Sequence, residues 1–182
     1  MVEPKAASKV ILLAGLDNSG KTSIAYSLQG IKNLPHYLKI KPTVGRKIIS
    51  IKSYDSEFRI WDLGGQDAYR EEYIENLDKY FKGIDKLIYI FDIQDIDRYA
   101  LALEYYEKII TFLKDNNKPN EIEISIFLHK FDPDLNTTKP EITKEIVDNL
   151  KNKIKNALNK TEFFYQIFQT TIYALFEKSV TD

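Results

Sequence analysis

The chain has 182 residues, of which 43% are hydrophobic and 29% are charged. This length and apolar content predict one well-buried domain over residues 1–182, because two domains of ordinary size need a longer chain. The formal net charge of -1 gives no basic excess that would attract nucleic acid, so nucleic acid is not an expected partner. The absence of cysteine excludes disulfides and thiolate metal sites and agrees with a cytoplasmic location.

Membrane attachment is not expected from the sequence. The first nine residues, MVEPKAASK, lack the apolar core of a signal peptide, and the runs VILLAG and LIYIF are too short to span a bilayer. Val2 stands where N-myristoylation requires glycine, and the last residues contain no cysteine for prenylation. We therefore expect a protein without an autonomous membrane anchor.

Six short segments rich in β-branched and aromatic residues are predicted to be strands. In chain order they are SKVILLAG (8–15), RKIISIKS (46–53), EFRIWDL (57–63), DKLIYIFD (85–92), EISIFLH (123–129) and EFFYQIF (162–168). The later segments are nearly continuous in apolar residues, which is typical of parallel strands buried on both faces. Only YDS separates the second and third segments, so these two are predicted to pair antiparallel at an edge.

Segments with helical periodicity alternate with these strands. They are residues 21–30, 68–82, 98–117 and 140–159, and a tail that begins at Thr170. Strands that alternate with helices predict an α/β, doubly wound fold. We expect a six-stranded, mostly parallel sheet with one antiparallel edge strand and helices on both faces.

The first strand is followed by GLDNSGKT, residues 15–22, which matches the pattern G-x-x-x-x-G-K-[ST]. Its glycines allow the backbone to wrap around a phosphate, and the N–H groups that open the next helix favour an anion. Lys21 would reach the β- and γ-phosphates, and the Thr22 hydroxyl would bind Mg²⁺. The residues predicted to hold the phosphates are Asp17, Asn18, Ser19, Gly20, Lys21, Thr22 and Ser23.

A second motif, WDLGGQD at residues 61–67, stands at the end of the third strand. Asp62 is placed to hold the metal ion through water, and Gly65 can bring its N–H up to a γ-phosphate. Gln66 would be the catalytic residue that orients the attacking water. A phosphate loop alone does not distinguish a kinase, an ATPase and a GTPase, whereas the two motifs together favour a GTPase.

Between these motifs lies PTVG, residues 42–45, in a predicted loop. Thr43 would complete the Mg²⁺ shell while the γ-phosphate is present and would release the ion when that phosphate leaves. The predicted metal ligands are therefore Thr22, Thr43 and Asp62. Although PTVG alone is usually a turn, its place between the other two motifs predicts a switch loop.

The fifth strand ends in HKFD, residues 129–132. Asp132 can accept from the guanine N1–H and N2 amine at once, a pattern that adenine does not offer. The Lys130 stem would lie over the base plane, and His129 would face N7. Taken alone, this segment is more often a strand that runs into a polar loop, so its interpretation depends on the other motifs.

Together these motifs resemble the Ras superfamily of small GTPases over nearly the whole chain. GLDNSGKTS, PTVG and WDLGGQDAYR are similar to the Arf family. LIYIFD, the Tyr105-Tyr106 pair, HKFD and YQIFQTTIYALF are similar to the Rag GTPases. The Rag resemblance implies a last base contact, from a backbone N–H to guanine O6, at Gln166 and Ile167.

The resemblance implies GTP or GDP and Mg²⁺ as ligands. It implies effector, exchange and activating proteins as partners of the switch loops, and it leaves a homodimer or heterodimer open. No arginine lies just before Thr43, so slow intrinsic hydrolysis that needs an arginine from an activating protein is expected.

Two interpretations of the function stay open at this point. One is a molecular switch that hydrolyses GTP to GDP and phosphate, and the other is an interaction module that holds GTP or GDP with little or no turnover. A P-loop nucleoside monophosphate kinase is a third interpretation, but the chain has no recognisable arginine-rich lid, and a kinase would leave HKFD unexplained.

Overall fold

The computed structural model describes residues 8–53, 56–116, 121–159 and 161–173. The strands are β1 (Ser8–Ala14), β2 (Arg46–Ser53), β3 (Ser56–Leu63), β4 (Lys86–Asp92), β5 (Glu123–His129) and β6 (Tyr165–Gln169). They form one sheet in the order β2-β3-β1-β4-β5-β6. Neighbouring strands are parallel except β2 and β3, which are antiparallel at one edge. The predicted mixed sheet is confirmed.

The helices alternate with the strands as expected. They are α1 (Lys21–Leu28), α2 (Leu34–Leu38), α3 (Asp67–Glu75), α4 (Leu77–Phe81), α5 (Tyr99–Asn116), α6 (Leu135–Thr138) and α7 (Lys144–Leu158). A 3-10 turn, Ile96–Arg98, precedes α5. Within the described ranges, no helix is long and apolar enough to cross a membrane.

Two of the predicted helices differ at their ends. The prediction that a helix begins at residue 140 is wrong, because α7 begins after Thr143, whose hydroxyl accepts from the Ile146 N–H and caps the helix. The helix predicted from Thr170 lies largely outside the described residues, and residues 170–173 are not helical. The sequence also gave no sign of the short helices α2 and α6.

The single helix predicted at residues 68–82 is two helices that meet at Asn76. The backbone of Asn76 leaves the helical region, with φ -128° and ψ 43°. Its side-chain amide donates to the Glu72 carbonyl oxygen at 2.9 Å, and the Glu72 carboxylate accepts from the Tyr80 hydroxyl across the break. The prediction was wrong because the helical period continues through a residue whose side chain competes for a helix carbonyl.

Alternate residues of the buried strands pack on opposite faces of the sheet. On β4, Leu87, Tyr89 and Phe91 belong to the core under α3, α5 and α7. Ile88 and Ile90 belong to a second core that includes buried residues of α1. Helices therefore cover both faces, as predicted, and the parallel strands β1, β3, β4 and β5 all end at the same edge of the sheet. In open α/β sheets, this edge is where ligands bind.

Candidate nucleotide-binding site

A cavity of about 760 Å³ lies at the edge where the parallel strands end. This volume is within the range of ordinary small-molecule sites, which is roughly 300 to 1,000 Å³. The residues predicted from the motifs that lie in its wall are Asp17, Asn18, Gly20, Lys21, Thr22, Ser23, Thr43, Gly65, Gln66, His129, Lys130 and Asp132. The fold therefore brings most of the predicted site together around one space.

The loop after β1 has the backbone that a phosphate loop needs. Gly15, Asn18 and Gly20 have φ values of 144°, 59° and 93°, in the region that favours glycine. Gly15 also packs closely against β4, since a Cβ atom there would lie 2.4 Å from the Ile90 carbonyl oxygen. Ser19, within the same loop, is buried and is not part of the cavity wall.

Lys21 is buried at the base of this loop. Its Nζ donates to the carbonyl oxygens of Gly15 at 3.0 Å and Leu16 at 2.5 Å. Burial lowers the pKa of Lys21 to about 8, although the nearby carboxylates of Asp62 and Asp17 favour the charged form. An anion in the cavity would raise this pKa again, because an adjacent negative charge stabilises the ammonium group.

The hydroxyl groups of Thr22 and Thr43 meet at the carboxylate of Asp62. Both donate to Asp62 Oδ2, at 2.8 and 3.0 Å, and the two hydroxyl oxygens lie 3.0 Å apart. Asp62 is fully buried, and its Oδ1 has no hydrogen-bond partner among the described residues. Two convergent hydroxyls beside an unpaired buried carboxylate oxygen suit a hydrated Mg²⁺ ion, which prefers oxygen ligands and keeps several waters.

The PTVG loop, residues 42–45, is packed against the end of β3. The Gly64 N–H donates to the Gly45 carbonyl oxygen at 2.7 Å, and the Tyr73 hydroxyl donates to the same oxygen at 2.8 Å. A Cβ atom at Gly64 would lie 2.5 Å from the Thr43 carbonyl oxygen. The PTVG loop therefore contacts the WDLGGQD segment, residues 61–67, directly at Gly64 as well as through Asp62.

Gly65 joins the WDLGGQD segment to the phosphate loop. Its carbonyl oxygen accepts from the Asp17 N–H at 3.0 Å and from Arg70 Nη1 at 2.7 Å. A Cβ atom at Gly65 would lie 2.2 Å from the Asp17 nitrogen, so only glycine fits there. Asp17 also accepts from Arg98 Nη1 at 2.7 Å, and Arg70 Nη1 lies 4.0 Å from the same carboxylate oxygen.

Gln66 lies at the N-terminal end of α3 and in the cavity wall. Its side-chain oxygen is buried and has no partner in the part of the chain that the structure describes. A buried acceptor without a partner costs free energy, so this atom is well placed to accept from a ligand or a bound water.

His129 lies between the phosphate loop and the segment after β6. A Cβ atom at Gly20 would lie 2.5 Å from His129 Cδ2, and His129 Nδ1 lies 2.9 Å from the Thr170 hydroxyl oxygen. The side chain is 3% exposed. Burial and, to a smaller extent, the adjacent Lys130 cation lower the pKa of His129, which favours the neutral imidazole.

Gln166 and Ile167, the predicted O6 contacts, are not brought to the cavity. They lie within β6, where they pair with Ser125 and Ile126 of β5. The segment that reaches the cavity comes later: the Phe131 N–H donates to the Thr170 carbonyl oxygen at 3.0 Å, and Ile172 and Tyr173 lie in the wall.

Sequence reasoning also missed one side of the cavity. Ile31, Lys32, Leu34, Tyr37 and Ile40 line it from the segment that precedes PTVG. These residues belong to no motif, and only their position between α1 and the Thr43 loop could have indicated that they cover the site.

Trp61 and Arg46 form a contact on the outer strands next to the switch loops. The Arg46 guanidinium lies 4.5 Å from the centre of the Trp61 ring and 5.9 Å from that of Tyr80. Both distances are within the range of cation–π contacts. Trp61 directly precedes Asp62 and is the single tryptophan of the chain.

Comparison with known proteins agrees with this geometry. A protein-family model described as "Gtr1/RagA G protein conserved region" matches residues 10–181. ADP-ribosylation factor-like protein 3 of Caenorhabditis elegans is 33% identical over 138 residues, which cover 75% of this chain and 68% of that protein. ADP-ribosylation factor 3 of Arabidopsis thaliana is 35% identical over 100 residues, or 55% of this chain and half the length of that relative.

The fold of a solved structure is also similar. The Arl6 BBS3 small GTPase from Trypanosoma brucei, with the bound nucleotide analogue GppNp, superposes with a TM-score of 0.67. The match covers 91% of this chain and 87% of that one, at 22% sequence identity. At this identity the similarity concerns the fold alone.

A phosphate loop after β1 and a buried carboxylate at the end of β3 define the class of P-loop nucleotide-binding proteins. Within that class, the chain belongs to the Gtr1/RagA G-protein family and is a small GTPase that resembles both Arf and Rag proteins. The resemblance seen in the sequence motifs is confirmed.

Proposed function

We propose that the protein is a molecular switch that binds Mg²⁺ and GTP, hydrolyses GTP to GDP and phosphate, and changes the conformation of two loops. These switch loops are residues 42–45 and 63–67. Membership of a G-protein family supports guanine-nucleotide binding. The observation that carries the proposal is the meeting of Thr22, Thr43 and Asp62, because it joins the phosphate loop to the first switch loop and to the residue directly before the second.

This meeting point suggests how nucleotide state reaches the loops. Thr22 and Thr43 would hold Mg²⁺ directly and Asp62 would hold it through water, and the bound ion would neutralise part of the phosphate charge. Thr43 stands on the PTVG loop, and that loop contacts Gly64. A change at Thr43 after hydrolysis would therefore alter both loops at once, and effector proteins would bind the surface that changes.

Gln66 is the residue that we assign to hydrolysis. Its Oε1, which is buried and has no partner among the described residues, can accept a hydrogen bond from a water that attacks the γ-phosphate. The Gly65 peptide that precedes it is held by Asp17 and Arg70, which restricts the position of Gln66. The rate would come from this positioning together with the charges around the phosphate.

An activating protein is expected to supply a further cation. Arg70 and Arg98 lie beside the phosphate loop, but Arg70 contacts Asp67 and Arg98 contacts Asp95 and Asp17. Both guanidinium groups are thus already matched by carboxylates. An arginine supplied by a partner raises the rate by roughly 10³ to 10⁵ in proteins of this type. Exchange and activating proteins would act at the same loops.

The proposal is tested by identifying the nucleotide that co-purifies with the full chain and by following phosphate release from GTP and Mg²⁺ over hours. We expect a guanine nucleotide and slow release, with ATP as the control. Release on the order of one per second without any partner would overturn the need for an activating protein. Tight GTP binding without measurable release would favour the interaction module, and a preference for ATP would overturn the guanine assignment.

Other sequence-based expectations stay predictions. These are a single domain over residues 1–182, a cytoplasmic location, and a homodimer or heterodimer.

A further inference from the structure

Gln94, in the turn after β4, contacts the HKFD motif from outside the cavity. Its backbone N–H donates to Asp92 Oδ1 at 2.9 Å. Its side-chain Nε2 donates to the Lys130 carbonyl oxygen and to Asp132 Oδ2, each at 2.8 Å. Because both of these oxygens accept, the amide nitrogen of Gln94 must face them. Gln94 therefore binds the backbone of one motif residue and the carboxylate of another.

Thr171, in the segment after β6, holds the other oxygen of the same carboxylate. Its hydroxyl donates to Asp132 Oδ1. A carboxylate oxygen can accept about two hydrogen bonds, so each oxygen of Asp132 keeps one site for a ligand. With Gln94 on one side and Thr171 on the other, the carboxylate group cannot rotate without losing a hydrogen bond.

The charge of Asp132 is left available by this arrangement. The Lys130 ammonium group lies 2.6 Å from Asp92 Oδ2 and forms its ion pair with that carboxylate. Within the described ranges, the side-chain partners of Asp132 are the neutral Gln94 and Thr171. A carboxylate that is oriented by neutral donors keeps its full negative charge for the N–H groups of a bound base, where charge-assisted bonds are stronger.

We propose that Gln94 is a positioning residue that sets guanine selectivity by fixing, opposite Thr171, the orientation of the Asp132 carboxylate. The inference rests on the proposed function, since it requires Asp132 to bind the base. Guanine presents N1–H and the N2 amine side by side, and both reach one carboxylate only when its plane matches that of the base. Neither Gln94 nor Thr171 lies in the cavity wall, so their effect passes through Asp132.

The affinity for inosine triphosphate (ITP) distinguishes this role from a general contribution to the stability of the fold. The base of ITP keeps N1–H but lacks the N2 amine, so it makes one bond to the carboxylate instead of two. Gln94→Met keeps the length of the side chain and removes its hydrogen-bond donor. The bond between Asp132 and the N2 amine of guanine should then weaken most. We expect GTP affinity to fall about tenfold and ITP affinity about threefold or less, so that the preference for GTP over ITP shrinks.

Thr171 offers a matched pair of variants. Thr171→Val keeps the shape and removes the hydroxyl, so it shifts the GTP to ITP ratio in the same direction as Gln94→Met. Thr171→Ser keeps the hydroxyl and restores the ratio of the unaltered chain. Gln29→Met, at an exposed position next to α1, controls for the substitution itself.

The experiment is a competition titration of GTP and ITP against a fluorescent guanine nucleotide, with the full chain and these variants. Thermal unfolding of each nucleotide-free variant identifies any that fails to fold. Unchanged GTP and ITP affinities in Gln94→Met, or equal losses for the two nucleotides, overturn the inference and leave the proposed function standing. If the unaltered chain does not prefer GTP to ITP and ATP, the proposed function fails and the inference fails with it.

Discussion

The carboxylate of Asp17 accepts a hydrogen bond from Arg98 across a distance of 2.7 Å, although the two residues lie on distant segments of the chain. Asp17 belongs to the phosphate loop, and Arg98 ends the 3-10 turn before α5. Their side chains are 41% and 34% exposed. An ion pair with this exposure adds about 1 kcal/mol or less to stability. We therefore expect its main effect to be electrostatic, because Arg98 compensates the negative charge of Asp17 next to the proposed phosphate site.

We expect Arg98→Ala to weaken GTP binding more than GDP binding. The variant leaves the Asp17 charge less well compensated, and GTP carries more negative charge than GDP. GTP affinity should fall about threefold or more, with the larger loss at low salt, while the free energy of unfolding changes by about 1 kcal/mol or less. Titrations with both nucleotides at two salt concentrations measure the difference.

Two variants control this prediction. Arg59→Ala removes an exposed cation from β3 and should leave both affinities unchanged. The double variant Asp17→Ala/Arg98→Ala removes both charges and should recover much of the GTP affinity. Equal losses for GTP and GDP in Arg98→Ala would contradict the electrostatic explanation.

Gln66→Leu should preserve GTP binding and slow phosphate release. Leucine fills the same space but cannot accept from a water, so release should fall about tenfold or more. Single-turnover phosphate release with preloaded GTP is the measurement, and Gln29→Leu is the control at an exposed glutamine. If release is unchanged while binding persists, Gln66 does not position the water, and the interaction-module interpretation gains support.

Asp132 should dominate base recognition over His129. Asp132 can make two charge-assisted bonds to guanine, each worth about 1.5 to 3 kcal/mol, whereas His129 makes at most one neutral bond of about 0.5 to 1.5 kcal/mol. Asp132→Ala should therefore weaken GTP at least about a hundredfold and His129→Ala about tenfold or less. A loss in Asp132→Ala no larger than that in His129→Ala would refute the guanine assignment.

Asp132→Asn should shift the binding preference from GTP toward xanthosine triphosphate (XTP). The Gln94 amide nitrogen faces this position and favours the asparagine oxygen on its own side. The asparagine nitrogen is then left to donate to the extra carbonyl of xanthine, which a carboxylate repels. Nucleotide competition with GTP and XTP measures the shift, and a variant that still prefers GTP would count against the base contact.

Stability should depend on pH through His129. Its folded-state pKa is lowered, mainly by burial and then by Lys130, while Asp92 and Asp132 oppose the shift. The unfolded chain therefore binds a proton near pH 6.5, whereas the folded chain binds it only at lower pH. The contribution of His129 to the free energy of unfolding is thus fully present above pH 6.5 and is lost as the pH drops toward the folded-state pKa. Urea unfolding of the nucleotide-free protein between about pH 5 and 8 measures this loss.

His129→Asn should flatten this pH dependence, because it removes the titrating group. His36→Asn, at the exposed histidine of α2, should retain the pH dependence of the unaltered chain. Identical curves for all three proteins would show that other groups determine the acid sensitivity.

The sheet could be predicted because central strands such as β4 and β5 are nearly continuous apolar runs of strand length. The ends were predicted less accurately: the sixth segment was expected to begin at residue 162, and β6 begins at Tyr165. Within the site, the phosphate loop, Asp62 and Gln66 were found because short motifs fix their own local geometry. The positions of such residues can be predicted without knowing how the rest of the chain folds.

Contacts between distant segments could not be found in the same way. Gln94 and Thr171 are single polar residues in loops, separated from Asp132 by 38 and 39 positions. Only the strand order brings them to the same carboxylate. The expectation for Gln166 and Ile167 depended on where β6 ends, and its ladder with β5 continues as far as Gln169 opposite Leu128. The register of a strand pair depends on both strands, so it cannot be predicted from either segment alone.

The contact between Arg46 and Trp61 gives the protein an intrinsic optical probe. The indole is the single tryptophan of the chain, it adjoins Asp62, and a guanidinium group lies 4.5 Å from its ring centre. Indole emission depends on nearby charge and on exposure to water, so a movement of β2 or β3 relative to the switch loops would change its intensity. Nucleotide exchange could then be followed in the unlabelled protein, in real time, by ultraviolet fluorescence alone.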